Sequence, residues 1–311
     1  MNAILARPSN TQAWLTAMRL PFTSVAVLPF AVGVYMAYAQ GVPVCWPAAV
    51  AGIVAVFLIC IGCYLLGEVF DQAEDKKTVE VGRTKFSGGT LLVADGTLPV
   101  RSVKLVAVVC FALAMLLGIV IILVHRAPWL MVLGVFGGAC AACYSAPPIR
   151  LVKRGFGDLF IGICYGWLPP VTGYASATGQ LSPDLFIYFW PIAFTVFNII
   201  LINEFPDYKP DSSTGKRNLL VRIGMKWGSR IFSTASVLTG LWLIGLWHFY
   251  RYPSPWHLVL ILPALVLSMH LAWQVAFTRK WESPRTIEPI CAMAIVLNLA
   301  TAVTVGLLVK W

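Results

Sequence analysis

Nine apolar runs of spanning or nearly spanning length follow one another along the 311-residue chain and leave little else for it to fold around. They lie near Leu20 to Tyr38, Trp46 to Leu66, Leu105 to Val124, Trp129 to Ser145, Leu159 to Tyr174, Leu185 to Asn203, Ile231 to Tyr250, Leu258 to Phe277 and Pro289 to Val309. A helix needs about 17 to 25 such residues to cross a hydrocarbon core, and a helix satisfies its own backbone polar groups in lipid. The expected fold is therefore all-α: an integral membrane bundle of nine transmembrane helices forming a single domain over 1–311. Only 12% of the residues are charged and 59% are hydrophobic, against about a quarter charged in soluble domains, so the bilayer is the main solvent. Residues 1–19 read as an interfacial lead, with a capping box at Ser9 and Gln12 and with Trp14, Leu15 and Met18 on the membrane surface. They lack the compact apolar core and small-residue site of a cleavable leader.

The chain carries a formal net charge of +10. Nucleic acid is excluded as a partner because the bases sit in short loops between apolar runs. Of the 23 Lys and Arg, only Arg126, Arg251 and Lys310 lie on one side of the expected bundle, and the remaining 20 lie on the other. The positive-inside rule makes the crowded side cytoplasmic, together with the N-terminus.

Two acidic stretches lie on that side with identical spacing. Glu68, Asp71 and Asp75 read E-x-x-D-x-x-x-D, and Glu204, Asp207 and Asp211 repeat the pattern 136 positions on (204 − 68). Each stretch directly follows a long apolar run. On a helix, positions 0, 3 and 7 point at about 0, 300 and 340 degrees, which gathers three carboxylates on one side. Three like charges repel, and the oxygen-only ligand set without nearby histidine suits Mg2+ completed by water and substrate phosphates. Lys76, Lys77, Arg83 and Lys85 follow the first stretch, and Lys216, Arg217 and Arg222 the second. Acids for a cation with bases for an anion describe a diphosphate site. Charges at a helix end are ordinary in membrane proteins, but one spacing at two equivalent places is not explained by that.

A cation-coupled transporter also places acids in membrane helices, commonly near the midplane between inverted repeats. Here an even number of helices separates the stretches. The repeat is then parallel, two four-helix pseudo-repeats with both acid sets at one membrane face, which favours an enzyme. A phosphatidyltransferase also needs acids in a membrane helix, but its motif packs Asp-Gly and Ala-Arg together, whereas Gln72 and Ala73 follow Asp71 here. The segments 71–104 and 206–230 are expected to be cytoplasmic active-site loops. Gly88-Gly89 in the first of them lets backbone N–H groups approach an anion. Cys60-x-x-Cys63 and Cys140-x-x-Cys143 have no second thiol pair or histidine nearby and read as packing. His125, His248, His257 and His270 lie away from both acidic stretches.

At Arg83-Thr84-Lys85-Phe86-Ser87-Gly88-Gly89, Tyr144-Ser145-Ala146-Pro147-Pro148-Ile149-Arg150-Leu151, Asn203-Glu204-Phe205-Pro206-Asp207 and Gly215-Lys216-Arg217, the chain resembles the UbiA superfamily of membrane prenyltransferases. Within it, these runs are similar to the branch related to 1,4-dihydroxy-2-naphthoate polyprenyltransferase, and the resemblance covers essentially all nine runs. It implies a barrel-like bundle around a central cavity open sideways to lipid, transferring a polyprenyl group from an allylic diphosphate to an aromatic acceptor. That acceptor would be 1,4-dihydroxy-2-naphthoate of menaquinone biosynthesis, in a bacterial cytoplasmic (inner) membrane. The alternatives are another quinone precursor, an ether-lipid precursor or a chlorophyll-like ring.

The resemblance also implies Mg2+ held by Asp71, Asp75, Asp207 and Asp211, the catalytic acids, with Glu68 and Glu204 as direct or outer ligands. This chain departs from the family at Gly67-Glu68, where an Asn-Asp pair is usual. Arg83, Lys85, Lys216 and Arg217, followed by Arg19, Arg150 and Lys153, are the expected diphosphate partners. Asn203, Tyr144, Phe70, Phe205 and Trp167 are expected in the substrate pocket, the aromatics as cation–π partners for an allylic cation.

Overall fold

The computed structural model describes residues 9–81, 86, 88–249 and 256–309, and every regular element among them is helical. In chain order these are α1 (Asn10–Ala17), α2 (Leu20–Ala39), α3 (Trp46–Phe70), α4 (Gln72–Val81), α5 (Val100–His125) and α6 (Leu130–Ser145). After them come α7 (Gly157–Ile161), which runs through a π-helical turn at Gly162–Trp167 into α8 (Leu168–Thr178), then α9 (Leu185–Tyr188), α10 (Trp190–Ser213) and α11 (Leu219–Ile223). The chain closes with α12 (Met225–Phe249), α13 (Trp256–Phe277) and α14 (Pro284–Leu307).

Seven helical segments are long and apolar enough to cross a membrane, at Leu20–Ala39, Trp46–Phe70, Val100–His125, Leu185–Ser213, Met225–Phe249, Leu258–Phe277 and Thr286–Leu307. The fourth and fifth apolar runs of the sequence fall on the shorter Leu130–Ser145 and on the 157–178 rod that the π turn interrupts. α14 packs against α10 and α13 and also against α2, so the helices close into a ring. Burial separates their places within it: 67% of the apolar window of Leu185–Ser213 is buried against 22% for Val100–His125, which makes α10 the central helix and α5 a peripheral one.

Small residues set the closest approach. A Cβ on Gly33 of α2 would lie 1.8 Å from the Pro170 carbonyl oxygen of α8, and one on Gly173 would lie 2.1 Å from that of Phe30. Backbones meet there, as they do where membrane helices pack without a hydrophobic driving force. α10 contains Pro206 and Pro210 yet runs on to Ser213. Pro206 cannot donate to the Ile202 carbonyl one turn earlier, and the Cys291 thiol of α14 donates to that oxygen instead, at 3.8 Å.

The capping box at α1 is present, Ser9 and Gln12 bonding reciprocally. Trp14 and Met18 pack against a buried cluster of α3, α5 and Leu92, Val93 and Leu98, so this face of the lead is held by protein. Those last three residues anchor the segment after α4, and Leu98 N–H donates to the Leu92 carbonyl at 2.7 Å. His125 bonds the Ser176 carbonyl at 2.7 Å and ties α5 to α8.

Candidate active site

Both acidic stretches end at one cavity of about 970 Å³, lined by all six of Glu68, Asp71, Asp75, Glu204, Asp207 and Asp211. Their backbones differ. Glu68 lies on the last turn of α3, Asp71 is the residue that ends that helix, and Asp75 lies on α4. Glu204, Asp207 and Asp211 all lie on unbroken α10, so the first residues of the 206–230 segment are helical turns. The cavity runs on into apolar walls from Val25, Cys63, Val196 and Ile199.

A two-glycine strap joins the stretches. Gly88 N–H donates to Asp207 Oδ2 at 2.7 Å, and Gly89, at φ +65, passes so close to Asp75 that a Cβ would fall 1.9 Å from its Oδ2. The anion that the glycines approach is thus the second stretch's own carboxylate. Thr90 continues the strap, donating through its N–H to Glu68 Oε1 at 2.6 Å and through its hydroxyl to Oε2 at 2.8 Å.

The other acids have partners from several elements. Ser145 Oγ donates to Asp71 Oδ2 at 2.9 Å, and Arg150 approaches Asp71 Oδ1 at 3.5 Å while donating to the Phe70 carbonyl at 2.8 Å. Asp211 Oδ2 faces Lys216 Nζ at 3.2 Å and accepts from Asn218 Nδ2 at 2.8 Å. Glu204 Oε2 accepts from Leu220 N–H at 3.2 Å, and its carboxyl faces that of the buried Asp158 of α7. Lys153 pairs with Glu74, beside the site.

Electrostatics follow from this crowding. Burial, then the neighbouring Glu68 and Asp71 carboxylates, push Asp75 up to about 8. Burial also raises Asp71, and Lys216 only partly offsets it. For Glu74 burial acts upward, but the Lys153 ammonium holds it below the usual carboxylate range. Burial would lower Lys216, yet Asp211 and Asp71 hold it well above an ordinary lysine, so it stays charged. A half-buried ammonium among acids offsets part of their crowded negative charge.

Of the expected diphosphate partners, Lys216 and Arg19 line the cavity; Arg19 Nη2 lies 3.8 Å from Glu68 Oε1. Arg150 and Lys153 are engaged with Asp71 and Glu74, and Arg217 is exposed and not among the lining residues. Arg83 and Lys85 lie outside the described residues. In the substrate pocket, Tyr144 and Asn203 line the cavity. Phe70, Phe205 and Trp167 do not, which corrects their expected placement as walls for a cation. Phe205 is buried against Trp281 at 5.8 Å, Trp167 belongs to an aromatic group with Phe186 and Trp190, and Phe70 carries Lys104 over its ring at 5.3 Å.

Thr90, Asn218, Asp158 and Tyr165 were not legible as site residues. Asn218 had a signal, since Asn before Leu219 is a helix N-cap and its Oδ1 accepts from Val221 N–H at 2.9 Å. Tyr165 lies on the π turn, a geometry frequent at functional sites, and it lines the cavity with its hydroxyl unpartnered, as is Asn203 Oδ1.

The acids suit a divalent cation. Asp75 Oδ2 and Asp207 Oδ1, from opposite stretches, are buried with no hydrogen-bond partner among the described residues. Among the described residues no group of three or more His, Cys, Asp or Glu forms a ready cage; Mg2+ takes one or two carboxylates and completes its shell with waters and substrate phosphates.

Fold and site together define an all-α, multi-pass membrane enzyme whose acidic cavity opens into apolar walls. The model of the UbiA prenyltransferase family matches residues 26–300, and the chain belongs to that family of prenyl-transferring enzymes. It is similar to the 1,4-dihydroxy-2-naphthoate octaprenyltransferase of Bacillus subtilis, 26% identical over 209 residues that span 67% of this chain and 66% of that protein. The 2-carboxy-1,4-naphthoquinone phytyltransferase of Synechocystis sp. is 28% identical over 268 residues, 85% of this chain and 82% of that protein. Among solved structures, a UbiA homologue from Archaeoglobus fulgidus bound to GPP and Mg2+ shares the fold with a TM-score of 0.59 at 18% identity, over 94% of this chain and 99% of that one. An apo UbiA homologue from Aeropyrum pernix reaches 0.68 at 15% identity, over 94% and 98%.

Proposed function

We propose that this protein transfers a polyprenyl group from an allylic diphosphate to 1,4-dihydroxy-2-naphthoate, in a Mg2+-dependent step of menaquinone biosynthesis. The observation that carries the reading is the meeting of both acidic stretches and the charged Lys216 at one cavity with apolar walls. Asp71, Asp75, Asp207 and Asp211 would hold the cation. Bound there, Mg2+ would neutralise the negative charge that develops on the leaving diphosphate.

The chain's own residues do the rest. Lys216 and Arg19 bring positive charge to the diphosphate from the cavity wall, without proton transfer. Apolar walls keep water from the allylic carbon and leave the prenyl tail in lipid-like surroundings. Asn203 and Tyr165 offer unpartnered polar groups to orient the acceptor's oxygens. The ring carbon bearing the carboxylate attacks the allylic carbon, the C–O bond to diphosphate breaks, and CO2 leaves with the carboxylate carbon while its bonding electrons stay with the ring.

In this reading Leu130–Ser145 and the 157–178 rod join the seven longer helices as spans, giving nine in two parallel repeats. The acidic end faces the cytoplasm of a bacterial inner membrane, supported by the distribution of Lys and Arg. Mass spectrometry of products from purified protein, given a polyprenyl diphosphate and a panel of aromatic acceptors, tests the proposal. CO2 release coupled to prenylation of the naphthoate is expected. A panel yielding only an ether-linked lipid or a prenylated chlorophyll-like ring overturns the acceptor, and no transfer to the naphthoate or any other acceptor in the panel overturns the proposed reaction.

A further inference from the structure

Glutamate opens both acidic stretches, and each glutamate holds the backbone of the segment that returns from its own stretch. Glu68, 2% exposed, accepts from Thr90 through both carboxylate oxygens, at 2.6 and 2.8 Å. Glu204, 8% exposed, accepts from Leu220 N–H at 3.2 Å. Two of the aspartates differ in kind: Asp75 and Asp207 each keep a buried oxygen with no hydrogen-bond partner among the described residues. A cation drawing on Glu68 would compete for the oxygens that hold the part-buried Thr90 N–H and hydroxyl, and donors that lose their acceptor are costly.

We propose that Glu68 and Glu204 are a matched pair of positioning residues that clamp the two active-site segments, and that cation ligation belongs to the aspartates. This rests on the metal reading above and names what it leaves undecided. Each clamp reaches an aspartate at one remove. Glu68 fixes Thr90, and so the Gly88 N–H that donates to Asp207 and the Gly89 backbone that lies on Asp75. Glu204 fixes the start of α11 at Leu220, and so Asn218, which caps that helix and donates to Asp211 at 2.8 Å. The first clamp therefore braces one stretch against the other, while the second braces a stretch against its own continuation.

Glutamine separates a clamp from a ligand. Its amide oxygen still accepts from Thr90 N–H and its NH2 can meet the Thr90 hydroxyl, so Glu68→Gln keeps the clamp and loses only the charge a cation would need. Full-length protein in nanodiscs is titrated with Mn2+ in the presence of inorganic pyrophosphate, followed by electron paramagnetic resonance. Glu68→Gln and Glu204→Gln should stay within about threefold of wild type, where Asp75→Asn and Asp207→Asn lose roughly tenfold or more.

Hydrogen–deuterium exchange supplies the second readout. Glu68→Ala should speed exchange over residues 88–92, and Glu204→Ala over 218–222, each by roughly tenfold or more and each sparing the other segment. Thr90→Val, which removes only the hydroxyl, should give a smaller rise in the first segment and serves if Glu68→Ala does not fold. Either glutamine variant losing Mn2+ as the aspartate variants do, or unchanged exchange in both alanine variants, overturns the proposal. If wild type binds no Mn2+ at all, the metal reading falls and exchange alone decides the clamps.

Discussion

The two acidic stretches share one spacing and reach it by different backbones. The first is cut at Asp71, where α3 ends and α4 begins, and its partners come from far away: Ser145 at the end of α6, Arg150 beyond it, and Gly89 and Thr90 of the strap. The second rides one helix through two prolines and draws Lys216 and Asn218 from its own continuation. A helix crossing prolines carries all three acids on one element, with Cys291 donating to the freed carbonyl and Gly88 to Asp207. A broken helix needs the remainder of the fold to hold its acids in place. The second stretch is thus the more self-contained half of the site, and the first depends on distant segments throughout.

If both halves serve one cation and one diphosphate, this asymmetry disappears in catalysis. Asp71→Asn and Asp207→Asn each keep size and lose charge, so each should cut Mg2+-dependent turnover by about a hundredfold or more. The double variant should be little worse than either single, because groups acting as a unit are not additive. Steady-state assays of the three variants in nanodiscs decide it. Near-normal activity in Asp207→Asn breaks the comparison at its root.

The asymmetry returns when glycines are replaced. Gly89 and Gly215 both have positive φ, at +65 and +75, but Gly89 lies against Asp75 and Gly215 has open space where a Cβ would go. Gly215→Ala should cost only the backbone strain, roughly 1 kcal/mol. Gly89→Ala adds a collision with a buried carboxylate, so activity should fall by roughly tenfold or more. Activity and apparent Tm measured side by side give the contrast, and equal losses at the two positions would mean that the strap does not join the halves.

Spacing makes the acids legible because charges at one helix end are ordinary, whereas the same three-acid spacing at two equivalent ends is not. Their partners were not legible where the chain had to fold back: Gly88 and Asp207 are 119 residues apart, and nothing local in either signals the other. The aromatics show a second limit. Phe205 follows Glu204 by about 100 degrees on the helix, enough to turn it from the cavity toward Trp281. Residue type alone carried no information about that angle. The apolar runs gave the helices themselves, but the π turn at Gly162–Trp167 has no periodicity of its own to betray it.

Lys216 sharpens the view of the second stretch as the more self-contained. Lys216→Ala should raise the KM for the diphosphate by roughly tenfold, the scale of losing a charge-assisted contact, and leave the Mg2+ requirement in place. A Mg2+ requirement raised to higher concentration, with the KM for the diphosphate unchanged, would show instead that Lys216 serves mainly to hold Asp211, to which it is paired at 3.2 Å.

The smallest effect concerns pH and is larger in the first half. Asp75, in the first stretch, has no ammonium paired to it among the described residues and is pushed up from 3.8 to about 8, whereas burial pushes Asp211, in the second, only to about 6 because Lys216 offsets it. Between the two Asp75 values the folded, metal-free protein holds a proton that the unfolded chain has released. Stability must then fall as pH rises through that window, since the folded state binds more protons there. Glu74 acts oppositely, its stabilising charge fading only in acid, because Lys153 holds it low. Apparent Tm without divalent cation should drop by a few degrees from about pH 5 to about pH 8. A cation displaces the proton it competes with, so Mg2+ with pyrophosphate should flatten the slope. Asp75→Asn should flatten the part above about pH 6 without any cation, leaving the Asp211 contribution below it. A slope that persists above about pH 6 in that variant would assign the titration to another buried acid and remove the proton from the first half of the site.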